Sequence, residues 1–237
     1  MTQPTETRSS HVLRVASYNL RIFKDDRAAI TRVIRAIDAD VLLLQEVPRH
    51  PLSGHRLAGF ADELGLTWFG GARGRMSTTL MTSLRVDLLE AHHATLPVRI
   101  FDEPRGYAMA TVRLPGHESL VVASVHLPLR SSERLPHVRA IRAAATAAGR
   151  PAVVGGDLNE EPGDAAWTEL SDGLAQVSES VPTYPAKAPH KQIDAIFASP
   201  LITGRTPGLD LVDADVATAS DHRPVVVDLD LSALATD

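Results

Sequence analysis

The chain has 237 residues, of which 44% are hydrophobic and 22% are charged, and its formal net charge is -5 at pH 7. This composition is typical of a globular protein with a sizeable core, and the negative balance argues against a protein that wraps around long nucleic acid. The absence of cysteine excludes disulfides, thiolate metal sites and cysteine nucleophiles, so any metal must be held by oxygen or imidazole.

The first residues are polar and lack an apolar signal core, which predicts a disordered lead-in over residues 1–10 and a cytoplasmic protein. After them, "HVLRVASYNL" and "VLLLQEV" are typical of strands, and "DDRAAITRVIRAID" between them has the apolar spacing of a helix. The segment "GHRLAGFADELGL" predicts a second helix that ends at Gly65. No apolar run approaches the roughly 18 residues of a membrane-spanning helix, so stable membrane insertion is not predicted.

The middle of the chain changes character. Four apolar runs follow one another there, "STTLMTSLRV", "LLEAHHATLPV", "YAMATVRLP" and "ESLVVASVHLP", and they predict an antiparallel meander. We then expect a helix over about residues 131–148, a strand at "AVVGG", a short helix at "DAAWTELSD" and strands at "QIDAIFAS" and "RPVVVDLDL". Strand pairs of both senses predict mixed sheets, and since no linker divides the chain, residues 11–237 are predicted to form one domain.

Polar side chains stand at the ends of these apolar runs. Those that follow a run are Asn19, Glu46, His126, and the pair Asp157 and Asn159. Asp194 and the tripeptide "SDH" at residues 220–222 instead precede their strands. If these two strands run antiparallel to the others, all of these groups meet at one edge of the structure, which is where α/β proteins place their sites.

Taken alone, each of these residues has an ordinary structural explanation. Asp157 suits a turn, Glu46 a solvated strand end and His126 a packed core, and the others suit hairpins and caps. Independent turns have no reason to select metal-compatible oxygens and imidazoles at six strand ends, so the set as a whole points to a functional site. Gly155 and Gly156 lack Cβ atoms, which allows the strand ahead of Asp157 to pack tightly.

Six segments of the chain, "SYNLR", "LLLQEV", "SVHLPL", "GGDLNEEPGD", "QIDAIFAS" and "SDHRPVV", in this order resemble the endonuclease/exonuclease/phosphatase superfamily, the DNase I-like metal-dependent phosphoesterases. The resemblance covers nearly the whole chain. It implies a four-layer α/β sandwich, in which two mixed, mostly antiparallel β-sheets pack face to face with helices outside. One departure is Ser124, which stands where the family commonly has Asn and puts the local support of His126 in question.

By motif match, the resemblance implies a Mg²⁺ or Mn²⁺ site held by Glu46, Asn19 and Asp221. It implies that Asp157 positions or deprotonates the attacking water. Asn159 is expected to donate a hydrogen bond to a phosphate oxygen as charge develops in the transition state.

The same match assigns roles to two histidines. His222, oriented by Asp194, is expected to contact the phosphate as a cation, and His126 to act as a general acid or a phosphate clamp. Weaker candidates for substrate contact, for which a surface position is the alternative, are Arg21, Arg105 and His190. The strand period of two predicts that Arg21 shares a strand face with Asn19.

The implied reaction is hydrolysis of a phosphate ester by in-line attack of an activated water. The aromatic content of 4% and the negative charge favour a small phosphodiester or phosphomonoester. Two alternatives stay open, a DNA or RNA endo- or exonuclease and a catalytically silent binding scaffold. Lipid head groups stay among the esters, although no hydrophobic loop stands out in the sequence, and no protein partner is predicted.

Overall fold

The computed structural model of the protein describes residues 8–50, 53–70 and 77–236. Within these ranges, two six-stranded β-sheets pack face to face, and five α-helices cover their outer surfaces. The four-layer α/β sandwich expected from the sequence is therefore confirmed. No helix in these ranges has both the length and the apolar character needed to cross a membrane.

The two sheets have the same design. In spatial order, the strands of the first sheet are β11 (Thr203–Arg205), β12 (Val225–Asp230), β1 (Val12–Asn19), β2 (Val41–Gln45), β4 (Thr79–Thr82) and β3 (Thr67–Trp68). Those of the second are β5 (Asp87–Leu96), β6 (Arg105–Arg113), β7 (Leu120–His126), β8 (Ala152–Asp157), β10 (Asp194–Ala198) and β9 (Ala175–Gln176). Each sheet has a parallel pair at its centre, β1 with β2 and β7 with β8, and the other neighbouring strands are antiparallel.

Helices cover each sheet on its outer face. The first sheet packs against α1 (Arg27–Ile37), α2 (Ser53–Leu64) and α5 (Asp213–Ala219), and the second against α3 (Ser131–Thr146) and α4 (Ala165–Ser171). Helix α1 begins after Asp26, whose carboxylate accepts hydrogen bonds from two backbone N–H groups of the first turn. Gly65 follows α2 with φ of 69°, the left-handed conformation that ends helices.

The alternation of side chains along β1 explains where its polar residues lie. Leu13 and Val15 pack between the two sheets, whereas Ala16 and Tyr18 pack against the helices. A strand buried on both faces is expected at the centre of a layered α/β structure. By the same period of two, Asn19 faces the second sheet, so a strand-end amide reaches the gap between the sheets.

The predicted meander is only partly correct. Strands β5, β6 and β7 are antiparallel neighbours, but the first of the four runs forms β4, which pairs with β2 in the other sheet. Alternation of apolar residues does not report which sheet a strand joins, because both sheets bury one face in the same core. The short elements β3, β9, β11 and α5 were not predicted.

Most of the predicted lead-in, residues 1–7, lies outside the described residues. Arg8 is described, and its guanidinium lies 2.7 Å from Asp38 and 3.1 Å from the fully buried Asp40. The division of the chain into a lead-in and one domain over residues 11–237 stays a prediction.

Candidate active site

The polar strand ends meet at one edge of the sandwich. His126 lies beside Asp157 at the ends of β7 and β8, and Asp157 pairs with Asp194 at the start of β10. Across the gap between the sheets, Asn19 Nδ2 donates to Asp157 Oδ2 at 3.0 Å and to Glu46 Oε1 at 3.2 Å. The expected convergence is therefore observed, and the site is formed by both sheets.

An open cleft of about 410 Å³ lies at this edge. The predicted site residues that line it are Glu46, Arg105, His126, Asp157, Asn159, Asp221 and His222. Asn19 and Asp194 are buried behind this lining and hydrogen-bond to residues that form it. Of the predicted residues, His190 alone is both exposed and outside the lining, and its Nδ1 lies 3.0 Å from the Ala188 carbonyl oxygen.

Asp157 is the central group of the cleft. Its Oδ2 lies 3.4 Å from His126 Nε2 and 3.7 Å from His222 Nε2, and its Oδ1 accepts a hydrogen bond from the Asn159 N–H at 3.0 Å. Asn159 has φ of 50°, so the chain turns directly after the strand and returns its backbone N–H to the carboxylate. Burial raises the pKa of Asp157, although the two imidazoles oppose the rise. A carboxylate with a raised pKa is a better proton acceptor.

His222 is held by a buried hydrogen-bond chain. Its Nδ1 lies 2.9 Å from Asp194 Oδ2, and the same oxygen accepts a hydrogen bond from Thr183 Oγ1 at 2.6 Å. The ring of Tyr184 packs on the imidazole with 4.9 Å between centroids. Burial lowers the pKa of His222, but the Asp194 carboxylate outweighs that effect and raises it to about 9, so the group is an imidazolium at neutral pH.

His126 has the opposite protonation state. Burial lowers its pKa to about 4, against the attraction of Asp157, so the ring is neutral at pH 7. Its Nδ1 has no hydrogen-bond partner among the described residues. A neutral imidazole has one N–H group to donate and one nitrogen that accepts.

Ser124 hydrogen-bonds across the gap between the sheets and does not hydrogen-bond to His126. Its Oγ donates to the Leu44 carbonyl oxygen at 2.9 Å and accepts from Gln45 Nε2 at 3.1 Å. Gln45 Nε2 also lies 3.2 Å from Ser17 Oγ, so a buried polar network joins β1, β2 and β7 directly below the cleft.

Glu46 and Asp221 face the cleft from the first sheet. Glu46 follows β2 with φ of 47°, a conformation that is strained for a residue with a side chain. Burial raises the pKa of Glu46, and the Asp157 and Asp221 carboxylates add to the rise while Asn19 opposes it. With Glu103, four carboxylates therefore line one cleft, and carboxylate oxygens are the ligands that hard cations prefer.

The predicted position of Arg21 on the face of β1 is wrong. Strand β1 ends at Asn19, and Arg21 begins a 3-10 turn, Arg21–Phe23, with φ of 44°. Its Nε still lies 3.2 Å from Asp221 Oδ2 and its Nη1 lies 3.2 Å from Asp25 Oδ1, and these carboxylates, Asp221 first, raise its pKa. Arg21 Nη and Nε are thus paired with protein carboxylates at the edge of the cleft.

Sequence reasoning missed several residues of the cleft. Thr183 and Tyr184 belong to the loop "TYPAKAPHK", which has no strand or helix period and offered no signal. Lys191 pairs with Tyr184 across this loop through backbone hydrogen bonds. Lys191 and Arg134 of α3 both line the cleft. Arg105, a weak candidate, is buried at the start of β6, and its Nε has no hydrogen-bond partner among the described residues.

Comparisons with known proteins agree with this fold. The sequence profile described as the Endonuclease/Exonuclease/phosphatase family matches residues 16–222. No curated protein matches the sequence. A crystal structure of an endonuclease/exonuclease/phosphatase from Beutenbergia cavernae is similar with a TM-score of 0.70 and 25% identity, over 93% of this chain and 72% of that one.

Two further similar structures are a mannosyl-6-phosphatase from Bacteroides thetaiotaomicron and the D. rerio protein TDP2 complexed with a single-strand DNA product. The first has a TM-score of 0.72 and 19% identity, over 92% of this chain and 99% of that one. The second has a TM-score of 0.71 and 21% identity, over 92% of this chain and 98% of that one. At these identities the similarity supports the fold.

Proposed function

The chain belongs to the endonuclease/exonuclease/phosphatase family, and we propose that it hydrolyses a small phosphodiester or phosphomonoester with Mg²⁺ or Mn²⁺. Members of this family are hydrolases that act on phosphate esters. The observation that carries the proposal is the position of Asp157, a buried carboxylate at the floor of an open cleft with two imidazoles within 3.7 Å.

The donor set fits a hard divalent cation. Glu46 and Asp221 would hold the ion, because both present carboxylate oxygens to the cleft from the first sheet and oxygen ligands suit a hard divalent cation. A bound Mg²⁺ or Mn²⁺ supplies charge neutralisation for the phosphate and lowers the pKa of a bound water. As placed, Asn19 turns its amide nitrogen to Glu46 while its Oδ1 accepts from the Arg21 N–H at 3.0 Å, so it would contribute by orienting Glu46.

A second group of potential ligands consists of Asp157, Asp194 and His222, with one donor atom each within 4.8 Å of one another. We assign it to hydrogen bonding instead. Histidine binds metals as the neutral imidazole, whereas Asp194 keeps His222 protonated, and the Asp194 oxygen near it already accepts two hydrogen bonds.

The protein residues then divide the remaining work. Asp157 orients the attacking water and takes its proton. The His222 imidazolium attracts the phosphate oxygens, and its orientation is fixed by Asp194. Asn159 Nδ2 donates one hydrogen bond to the Leu127 carbonyl oxygen at 2.9 Å and has a second hydrogen for the phosphate.

The size of the cleft supports a small ester. A volume of about 410 Å³ is in the range of pockets for small ligands. A nuclease is the second candidate, because two of the three lysines of the chain, Lys187 and Lys191, lie in the loop beside the cleft. That loop would contact a neighbouring phosphate of a strand.

Hydrolysis of p-nitrophenyl phosphate, bis-p-nitrophenyl phosphate and plasmid DNA, measured side by side with Mg²⁺ or Mn²⁺, tests the proposal. We expect turnover of a nitrophenyl ester, loss of at least 10²-fold in Asp157→Asn, and no change in Asp172→Asn, which alters an exposed carboxylate outside the cleft. Plasmid nicking that depends on Asp157 without ester turnover would favour the nuclease. No turnover of any of the three would favour a silent scaffold.

A further inference from the structure

An apolar turn projects beside the mouth of the cleft. The Asp102 N–H donates to the Arg99 carbonyl oxygen at 3.0 Å and closes a turn with Ile100 and Phe101 at its tip. These two residues are 79% and 102% exposed, and Leu129, which lines the cleft, is 74% exposed. We call Ile100, Phe101 and Leu129 the apolar rim.

The sheet order fixes the side of the cleft on which this turn lies. It connects β5 with β6, and β6 begins at the level of His126. Strands β7 and β8 separate β6 from β10, so the turn and the loop that carries Lys191 flank the cleft on opposite sides, about 14 Å apart at the strands. Glu103 and Arg105, directly after the turn, line the cleft itself.

The turn is held in a strained conformation that packs nothing. Phe101 has φ of 75° at the third position of the turn, where glycine is favoured. Hydrogen bonds hold the segment in place, from the Arg99 N–H to Glu133 at 3.0 Å and from Arg130 Nε to Asp102 at 3.0 Å. A large side chain that is strained and fully exposed gains no packing in return, so its benefit must come from contact with something else.

The charges around the apolar rim select among the surfaces it could meet. The charged residues around it are Arg49, Arg99, Arg105, Arg130, Arg134, Asp102, Glu103, Glu133 and Glu160. Arg130 pairs with Asp102 at 3.0 Å and Arg49 pairs with Glu103 at 3.1 Å. Arg105 also pairs with Glu103, and Arg134 pairs with Glu160. Because four of these five arginines are paired with carboxylates, their attraction for a polyanion is weakened, and a rim with one aromatic side chain in three is not a base-stacking platform.

We propose that the apolar rim inserts into the surface of a zwitterionic lipid bilayer and presents the cleft to the phosphate ester of a lipid head group. Exposed aromatic and aliphatic side chains at a turn tip gain free energy by entering the boundary between head groups and acyl chains. The ester chemistry rests on the proposed function, whereas the docking does not. In the reaction, the oxygen of water bonds to phosphorus and the water gives a proton to Asp157. The phosphorus–oxygen bond of the leaving alcohol breaks, and the alkoxide takes up a proton from solvent.

Co-sedimentation with phosphatidylcholine vesicles tests the docking. We expect binding that changes little between low and high salt, because it depends on apolar contact. In the double variant Ile100→Ser and Phe101→Ser, the affinity for vesicles should fall by about tenfold or more. Leu84→Ser is the matched control and should bind normally, because Leu84 is 90% exposed but follows β4 at the end of the first sheet opposite the cleft.

A second measurement separates this inference from the proposed function. Turnover of the water-soluble bis-p-nitrophenyl phosphate should be unchanged in the double variant, and Asp157→Asn should still bind vesicles. If the parent protein hydrolyses this ester but does not bind vesicles, the inferred docking to a bilayer is wrong and the proposed function stands. Phe101-dependent binding of a labelled single-stranded oligonucleotide, without vesicle binding, also overturns it and assigns the rim to nucleobases.

Discussion

Gly156 provides a direct test of how the cleft is built. It precedes Asp157 in β8, and a Cβ atom at this position would lie 1.9 Å from the Val125 carbonyl oxygen and 2.8 Å from its carbon. Ordinary van der Waals contact begins at 3.4 Å, and the obstacle is the backbone of β7, which cannot rotate away. Alanine at position 156 must therefore push apart the two strands that carry His126 and Asp157.

The magnitude follows from the kind of atom that is displaced. Overpacking costs about 1–3 kcal/mol when side chains can shift, and each weakened backbone hydrogen bond adds about 1 kcal/mol. We therefore expect Gly156→Ala to reduce the free energy of unfolding by about 4 kcal/mol, a large part of the roughly 5–15 kcal/mol of a typical domain. Ester hydrolysis should fall with it, because Asp157 moves away from His126.

Urea denaturation of three alanine variants checks this reasoning. At Gly155 the new Cβ would meet Leu43 Cδ1 at 2.9 Å and Ile196 Cγ1 at 3.0 Å, which are side-chain atoms, so we expect a loss of about 1–2 kcal/mol. Gly59 is exposed in α2 with nothing within 4 Å, and alanine there should add up to about 1 kcal/mol. If Gly156→Ala is within 1 kcal/mol of the parent protein, or milder than Gly155→Ala, the steric argument is wrong.

Three further predictions concern charge. NMR titration of the metal-free protein should give His222 a pKa of about 9 that falls in Asp194→Asn. Because the pKa is raised in the folded state, the stabilisation from the His222–Asp194 pair is fully present below about pH 6.5 and is lost as the pH rises through about 9. The urea midpoints of the parent protein and of Asp194→Asn should therefore converge at high pH. Asp40→Ala should cost about 2–3 kcal/mol in urea denaturation, because it removes the buried carboxylate that accepts hydrogen bonds from Arg8, Arg85 and the Arg14 N–H; a loss below 1 kcal/mol would contradict this. A chelator should abolish ester hydrolysis and Mg²⁺ or Mn²⁺ restore it, and Glu46→Gln should raise the half-saturating metal concentration at least tenfold in calorimetry; unchanged metal affinity would exclude Glu46 as a ligand.

Much of the fold and of the site could be predicted because both depend on local signals. Apolar runs mark the central strands, and polar residues such as Asn19, Glu46 and Asp157 mark the ends at which the strands leave the core. In a layered fold the ends of parallel central strands lie at one edge, so the convergence of these residues follows from strand direction alone.

The errors arise where the answer depends on tertiary context. Arg21 was misplaced because nothing in the alternating pattern shows that β1 stops at Asn19 and that the next residues adopt positive φ angles. Strand β4 was misplaced because either sheet accepts the same apolar pattern. The pair Ile100 and Phe101 gave no signal, since two apolar residues between charged ones form no period, and only their exposure distinguishes them.

The division of the site between the two sheets makes its geometry depend on how the sheets pack. Glu46 and Asp221 come from the first sheet and Asp157 from the second, and Asn19 is the direct link, with hydrogen bonds to Glu46 and Asp157. Below it, Ser124 hydrogen-bonds to both Leu44 and Gln45 across the same gap. Buried hydrogen bonds have strict distance and angle requirements, so a shift of one sheet along the other would break this network before it exposed apolar surface. The polar network therefore fixes the alignment of the sheets, which apolar packing alone leaves less closely defined. It thereby also fixes the distance of the Glu46 and Asp221 carboxylates from Asp157.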